Sequence, residues 1–145
     1  MRNKIILALI LLLSGCSYQL PSMGGKDNGC TAAHGGNPFR CWQDLDLSKS
    51  RPATGASYHS AGTMVLASAT CVKPNSSWWF HGAHNPYTKQ ISQEGNQTLL
   101  SAYRTRYPNV ASYLESRGSL QTTAWTKLSG SDLNKLGVPL CVLAK

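Results

Sequence analysis

Acidic residues are scarce in this chain: 6 Asp and Glu stand against 14 Lys and Arg in 145 residues, for a formal charge of +8 at pH 7. Such an excess favours anionic neighbours, lipid headgroups or acidic polymers among them. Basic runs are lacking as well, since Lys49, Arg51, Lys73, Arg104, Arg106 and Arg117 are scattered. That argues for a solvated basic surface and against nucleic-acid binding. No apolar stretch in the sequence is long enough to span a bilayer, which excludes a membrane-spanning bundle. Cys-x-x-Cys pairs are absent, which disfavours a thiolate zinc site. The length leaves room for one core of about 110 ordered residues, and multidomain arrangements are out.

What is present begins at the N-terminus. Arg2 and Lys4 precede an apolar run from Ile5 to Leu13, and Leu13-Ser14-Gly15-Cys16 ends it with small residues before a cysteine. This segment resembles the bacterial lipobox. The resemblance implies that residues 1–15 are a lipoprotein signal peptide, and that Cys16 is lipidated on its thiol and acylated, with palmitate for instance, on its new amino terminus. Each buried methylene adds about 0.8 kcal/mol, so several chains anchor far more firmly than one. Ser17, being other than aspartate, implies the outer membrane, with the protein facing the periplasm. Loss of Arg2 and Lys4 leaves 12 basic against 6 acidic residues, a charge of +6. Residues 16–29, with Pro21, Gly24 and Gly25, are polar and unpatterned, a flexible tether to a domain over 30–145.

Four further cysteines, Cys30, Cys41, Cys71 and Cys141, make an even number in an exported chain and point to two disulfides with three pairings open. The pairing favoured here is Cys30 with Cys41, across a short loop around Gly35-Gly36, and Cys71 with Cys141, tying a strand entry to the C-terminal part.

Residues 37–48 read as a short helix with Pro38 in its first turn and Phe39, Trp42 and Leu45 on one face. Arg51 to Ser57 reads as a strand feeding a turn at Ser60-Ala61-Gly62, and Thr63 to Ala69 as a buried helix. A Pro74-Asn75 turn then leads to a strand Ser77 to Phe80 that ends on His81. Since neighbouring strand residues face opposite sides, one of Trp78 and Trp79 belongs to the core, and the other is a candidate, with Tyr58, to stack on a sugar. The polar stretch up to Gln97 reads as a cover over the site or a mobile loop. Leu99, Leu100, Tyr103 and Tyr107 have helical spacing that Pro108 breaks, and Val110, Tyr113 and Leu114 continue on a second helix to Gly118.

A serine at the mouth of a buried helix and a histidine ending the next strand are the parts of a nucleophile and its base. The segment Ser57–His84, with its Ser-Ala-Gly-Thr, Pro-Asn and Phe-His sequence, resembles the Clp-protease/crotonase superfamily, and most its small secreted members. The resemblance implies an α/β domain with a truncated Clp/crotonase-like fold. It further implies a serine-hydrolase or peptidase-like site with Ser60 as nucleophile and His81 as base. Ala61 and Gly36, the latter in His34-Gly35-Gly36, would line the oxyanion hole. Residues 128–138 resemble the short helix and Gly-hydrophobic exit that close the Clp core. In the family the comparable helices assemble subunits, so a homo-oligomer and a helix pair packed on its own core are both open. The family's acid would fall near Trp125, where no carboxylate stands; Asp132 and Glu94 are the substitutes. No cofactor is implied. A competing constellation is His81-x-x-His84 with His59 as zinc ligands. Against the enzyme stands a non-catalytic envelope lipoprotein that binds a peptide or another envelope partner, in which Ser60 caps the helix.

Overall fold

A computed structural model describes residues 29–142. Cys16, the signal segment and all but the last residue of the tether lie outside the described residues. Among the described residues no helix is long and apolar enough to cross a membrane.

The chain alternates between two small sheets. Strand β1 (Arg51–Ala53) pairs in parallel with β3 (Ala69–Val72), and β2 (Ser57–His59) pairs in parallel with β4 (Ser77–Phe80). Between β2 and β3 lies a 3-10 helix, Ser60–Ala67. The order is therefore sheet one, sheet two, helix, sheet one, sheet two, a single coil whose helix is clasped by its own strands. Antiparallel β5 (Thr126–Ser129) completes the second sheet on the far side of β4. Helix α1 (Pro38–Asp44) precedes the coil, α2 (Gln93–Arg106) and α3 (Pro108–Ser116) follow it, and α4 (Gly130–Lys135) comes last. The architecture is mixed α/β, made of short elements and stapled by two disulfides.

The core is where α2 lies across the 3-10 helix. Met64 and Leu66 of that helix, Trp78 and Phe80 of β4, Leu99 and Tyr103 of α2, and Val110 and Leu114 of α3 are all buried. Each large side chain taken from water contributes roughly 1.5–3 kcal/mol. Two tyrosines tie the helices to the coil by polar contacts that burial makes necessary. Tyr103 and Thr63 share a hydroxyl hydrogen bond of 2.6 Å, and Tyr107 donates to the Ala69 carbonyl. Burial pushes the Tyr103 phenol well above its usual range.

The disulfides are Cys30–Cys41 and Cys71–Cys141, the pairing favoured from the sequence, with sequence separations of 11 and 70. Closing the longer loop contributes about 4 kcal/mol in the chain-entropy account.

Several elements differ from expectation. The stretch Arg51 to Ser57 is two strands in two sheets. Pro52 carries no N–H for a ladder, and the Tyr58 hydroxyl accepts the Gly55 N–H at 2.7 Å, holding the bend between them. The buried helix begins at Ser60 and is 3-10 in form, while Ala69 already belongs to β3. Helix α1 stops at Asp44 and buries Pro38 and Cys41; of the expected face, Phe39 and Leu45 pack half-buried against the core, while Trp42 is 38% exposed. The Cys30–Cys41 bond holds the Cys41 side of α1 inward. The polar stretch before Gln97 is helical from Gln93, started by Ser92, whose Oγ accepts the Gly95 N–H at 3.0 Å. Tyr58 is buried and stacked on Trp78 at 4.0 Å, so it cannot face a sugar. Trp79 is the outward tryptophan of the pair, half-buried.

Candidate active site

Ser60 stands where β2 turns into the 3-10 helix, with φ +56. A non-glycine residue held in this left-handed region costs of order 1–3 kcal/mol and persists only where its surroundings impose it. Those surroundings are the loop of residues 31–35, closed by paired hydrogen bonds between Thr31 and Gly35. Gly35, itself at φ +78, is pressed on the turn so closely that a Cβ there would stand 2.8 Å from the His59 carbonyl and 2.9 Å from the Ala61 nitrogen. The Ser60 carbonyl accepts the Thr63 hydroxyl at 2.6 Å. Its own hydroxyl hydrogen-bonds to no other described residue, and the helix has no side-chain cap. Ser60 therefore does not cap the helix it opens.

His81 follows the last residue of β4. Parallel pairing of β2 with β4, with His59 opposite Trp79, carries the two strand ends to the same edge of the sheet. Ser60 and His81 line one cavity of about 310 Å³ together with Gly36, Ala61, His34, His84 and Trp125. Ser60, His81, Gly36 and Ala61, the residues singled out from the sequence, thus share one hollow. Ala61 occupies the first turn of the helix, where a backbone N–H has no partner within the helix.

The His81 ring is oriented by backbone. Its Nδ1 lies 2.9 Å from the Gly82 carbonyl oxygen, and Nδ1 of His84 reaches the same oxygen at 2.8 Å. A carbonyl only accepts, so each contact places the proton on Nδ1 and leaves Nε2 of neutral His81 as the basic nitrogen. Burial lowers the pKa of His81, the Gly82 carbonyl opposes that shift, and the nearby His84 adds to it. That shift favours the neutral imidazole, the protonation state a general base needs.

Among the described residues no carboxylate lines the cavity. Asp132, one of the two substitute acids, is engaged elsewhere: its Oδ2 accepts the Ser129 N–H at 2.8 Å, and that bond, more than any other influence, holds its carboxyl below the usual range. Glu94 sits in the first turn of α2 and is also outside the cavity. At the position where the family's acid would fall, Trp125 lays its ring 4.1 Å from that of His81, centroid to centroid, and is 48% exposed.

The histidine set considered for zinc is split. His59 is turned away, with Nδ1 2.9 Å from the Ala33 carbonyl and its ring stacked along Trp79. Among the described residues no group of three His, Cys, Asp or Glu is placed to hold a metal ion.

Three features of the site do not follow from the sequence pattern: His34 as a lining residue, Trp125 as a ring neighbour of His81, and Asn96. Asn96 is 1% exposed on α2, where it accepts the Ala83 N–H at 2.8 Å and donates to the Leu120 carbonyl at 2.6 Å. A signal for it existed, because Asn96 shares the helical face of Leu99, Leu100 and Tyr103, and an amide among apolar residues at that spacing asks for a buried partner. No family model, curated protein or solved structure matches the chain.

Proposed function

We propose that the protein is a lipoprotein of the bacterial envelope, anchored through Cys16 in the outer membrane and facing the periplasm, and that its domain is a truncated Clp/crotonase-like serine hydrolase. The observation that carries the enzymatic part is Ser60: a strained serine whose hydroxyl has no partner among the described residues, in one cavity with a histidine whose Nε2 has none among them either. The single coil of alternating strands around the 3-10 helix supports the fold assignment, since it brings Ser60, His81 and the Gly35–Gly36 loop to one place.

In this reading the Ser60 proton passes to His81 Nε2 as Oγ forms a bond to a carbonyl carbon. Backbone N–H groups at Ala61 and Gly36 receive the developing oxyanion charge. Nε2–H then protonates the leaving group as its bond to carbon breaks. Water repeats the sequence in reverse roles and frees Ser60. A peptide of the envelope is the substrate class the resemblance favours. Without a carboxylate beside His81 the turnover is slow; loss of that charge in a working triad costs about 10⁴ in kcat.

The test is labelling with a serine-reactive fluorophosphonate followed by peptide mapping. Modification at Ser60, absent in Ser60→Ala and in His81→Ala, supports the hydrolase. A folded wild-type protein that never labels would leave the second reading, a binding module, which the Trp125 ring lying over His81 favours. The anchor is tested separately: Cys16→Ala should move the protein out of the membrane fraction and abolish lipid incorporation, and unchanged partition would refute it.

A further inference from the structure

The missing acid leaves a question that the geometry around Gly82 answers. One peptide unit, Gly82–Ala83, is held at both ends. Its carbonyl accepts from Nδ1 of His81 and of His84, at 2.9 and 2.8 Å. Its N–H, on Ala83, donates to Oδ1 of buried Asn96 at 2.8 Å. Asn96 is fixed in turn by its donation to the Leu120 carbonyl. The preceding N–H, on Gly82, donates to the Thr122 carbonyl at 2.8 Å. A Cβ on Gly82 would collide with the Leu120 carbonyl, so the segment 118–122 is packed directly on this peptide and only glycine fits.

We propose that the Gly82–Ala83 peptide, held by Asn96, takes the place of the triad's acid: it fixes the tautomer of His81 and faces the imidazolium with the negative end of its dipole. This rests on the hydrolase reading for its purpose, but not for its geometry. Hydrogen bonds in series polarise one another, so the Asn96 amide accepting at N–H strengthens the carbonyl at the other end as an acceptor. Asn96 is a positioning residue, since it touches the peptide and not the substrate. His84 is the second occupant of the carbonyl. It shares the oxygen with His81, its ring centroid lies 4.9 Å from that of His81, and it disfavours a positive charge there. Among the described residues the other titratable group lining the cavity is His34; no Asp, Glu, Lys or Arg does so, and His59 packs on the edge of Trp125.

The proposal is tested first on the unmodified protein, by nitrogen-15 NMR of the histidine side chains. His81 should be neutral at pH 7 with its proton on Nδ1; the Nε2–H tautomer would overturn the proposal, whether or not Ser60 reacts. Asn96→Leu removes the acceptor for Ala83. It should shift His81 toward a mixture of tautomers and slow fluorophosphonate labelling by about tenfold, the loss expected for one neutral hydrogen bond. A folded Asn96→Leu protein with unchanged tautomer and labelling rate would refute the role of Asn96. Should that variant fail to fold, His84→Gln serves instead: the half-titration point of His81 should move upward, and the pH profile of labelling should follow it. No movement would show that the two rings do not share the carbonyl. If wild-type Ser60 never labels while the Nδ1–H tautomer is found, the hydrolase reading fails and the orienting peptide stands.

Discussion

Two helices in this domain open on a serine followed by a small residue, and their first turns are built in opposite ways. At Ser129-Gly130 the serine caps: φ is −80, Oγ accepts the Asp132 N–H at 3.0 Å, and the Asp132 carboxylate accepts the Ser129 N–H in return. At Ser60-Ala61 the backbone is left-handed, the hydroxyl has no partner among the described residues, and the turn is held from outside by the Gly35 loop. The capping serine satisfies its own helix locally. The other is kept in a costly conformation by contacts distant in sequence, which leaves its hydroxyl available. The contrast separates a serine that caps its own helix from one whose hydroxyl is left without such a task more clearly than either sequence does.

The sharpest way to break the comparison is to remove each hydroxyl. Ser60→Ala should abolish fluorophosphonate labelling while changing unfolding free energy by less than about 1 kcal/mol, because no cap is lost; a larger loss of stability would make Ser60 structural after all. Next in size is Gly35→Ala. The added methyl meets backbone at 2.8–2.9 Å and φ is positive, so a cost of roughly 1–3 kcal/mol is expected, with slower labelling as the Ser60 turn relaxes. Thermal melts alongside labelling rates would show whether both move together. Ser129→Ala should cost about 1 kcal/mol and leave labelling untouched.

Acid titration separates the two regions by a smaller effect. Asp132 is held below its ordinary 3.8, so its contribution is present above that value and is lost as pH falls through the folded-state pKa. His81 is held below its ordinary 6.5, so the unfolded chain takes up a proton first and stability begins to decline as pH falls below 6.5. Denaturant midpoints measured against pH should therefore fall in two windows. Asp132→Asn should shrink the lower one only, and His81→Gln the upper one only.

Much of this was legible in the sequence wherever neighbours along the chain decide the outcome. The strand Ser77–Phe80, the break at Pro108 and the presence of two disulfides follow from alternation, proline geometry and an even cysteine count. Ser60, His81, Gly36 and Ala61 were legible as a group only through the family resemblance, and their meeting in one cavity needed the parallel pairing of β2 with β4. What could not be read were effects set by packing at a distance. Helix α1 leaves Trp42 outside while Phe39 of the same face packs on the core. The left-handed Ser60 is imposed by Gly35, far upstream. Asn96 reaches across from α2 to a peptide whose importance nothing in its own sequence announces.

The Cys71–Cys141 bond makes most of the second half of the domain a covalent ring, enclosing β4, α2, α3, β5 and α4. Within that ring the run Gln121–Trp125 is exposed and free of regular structure until β5 begins. A protease cutting there would open the ring without releasing either piece, since one part of the cut chain remains tied to the other through sulfur. Such a nick would be invisible on a non-reducing gel and would yield two fragments once the disulfide is reduced, so the segment beside His81 can suffer damage while the domain stays in one piece.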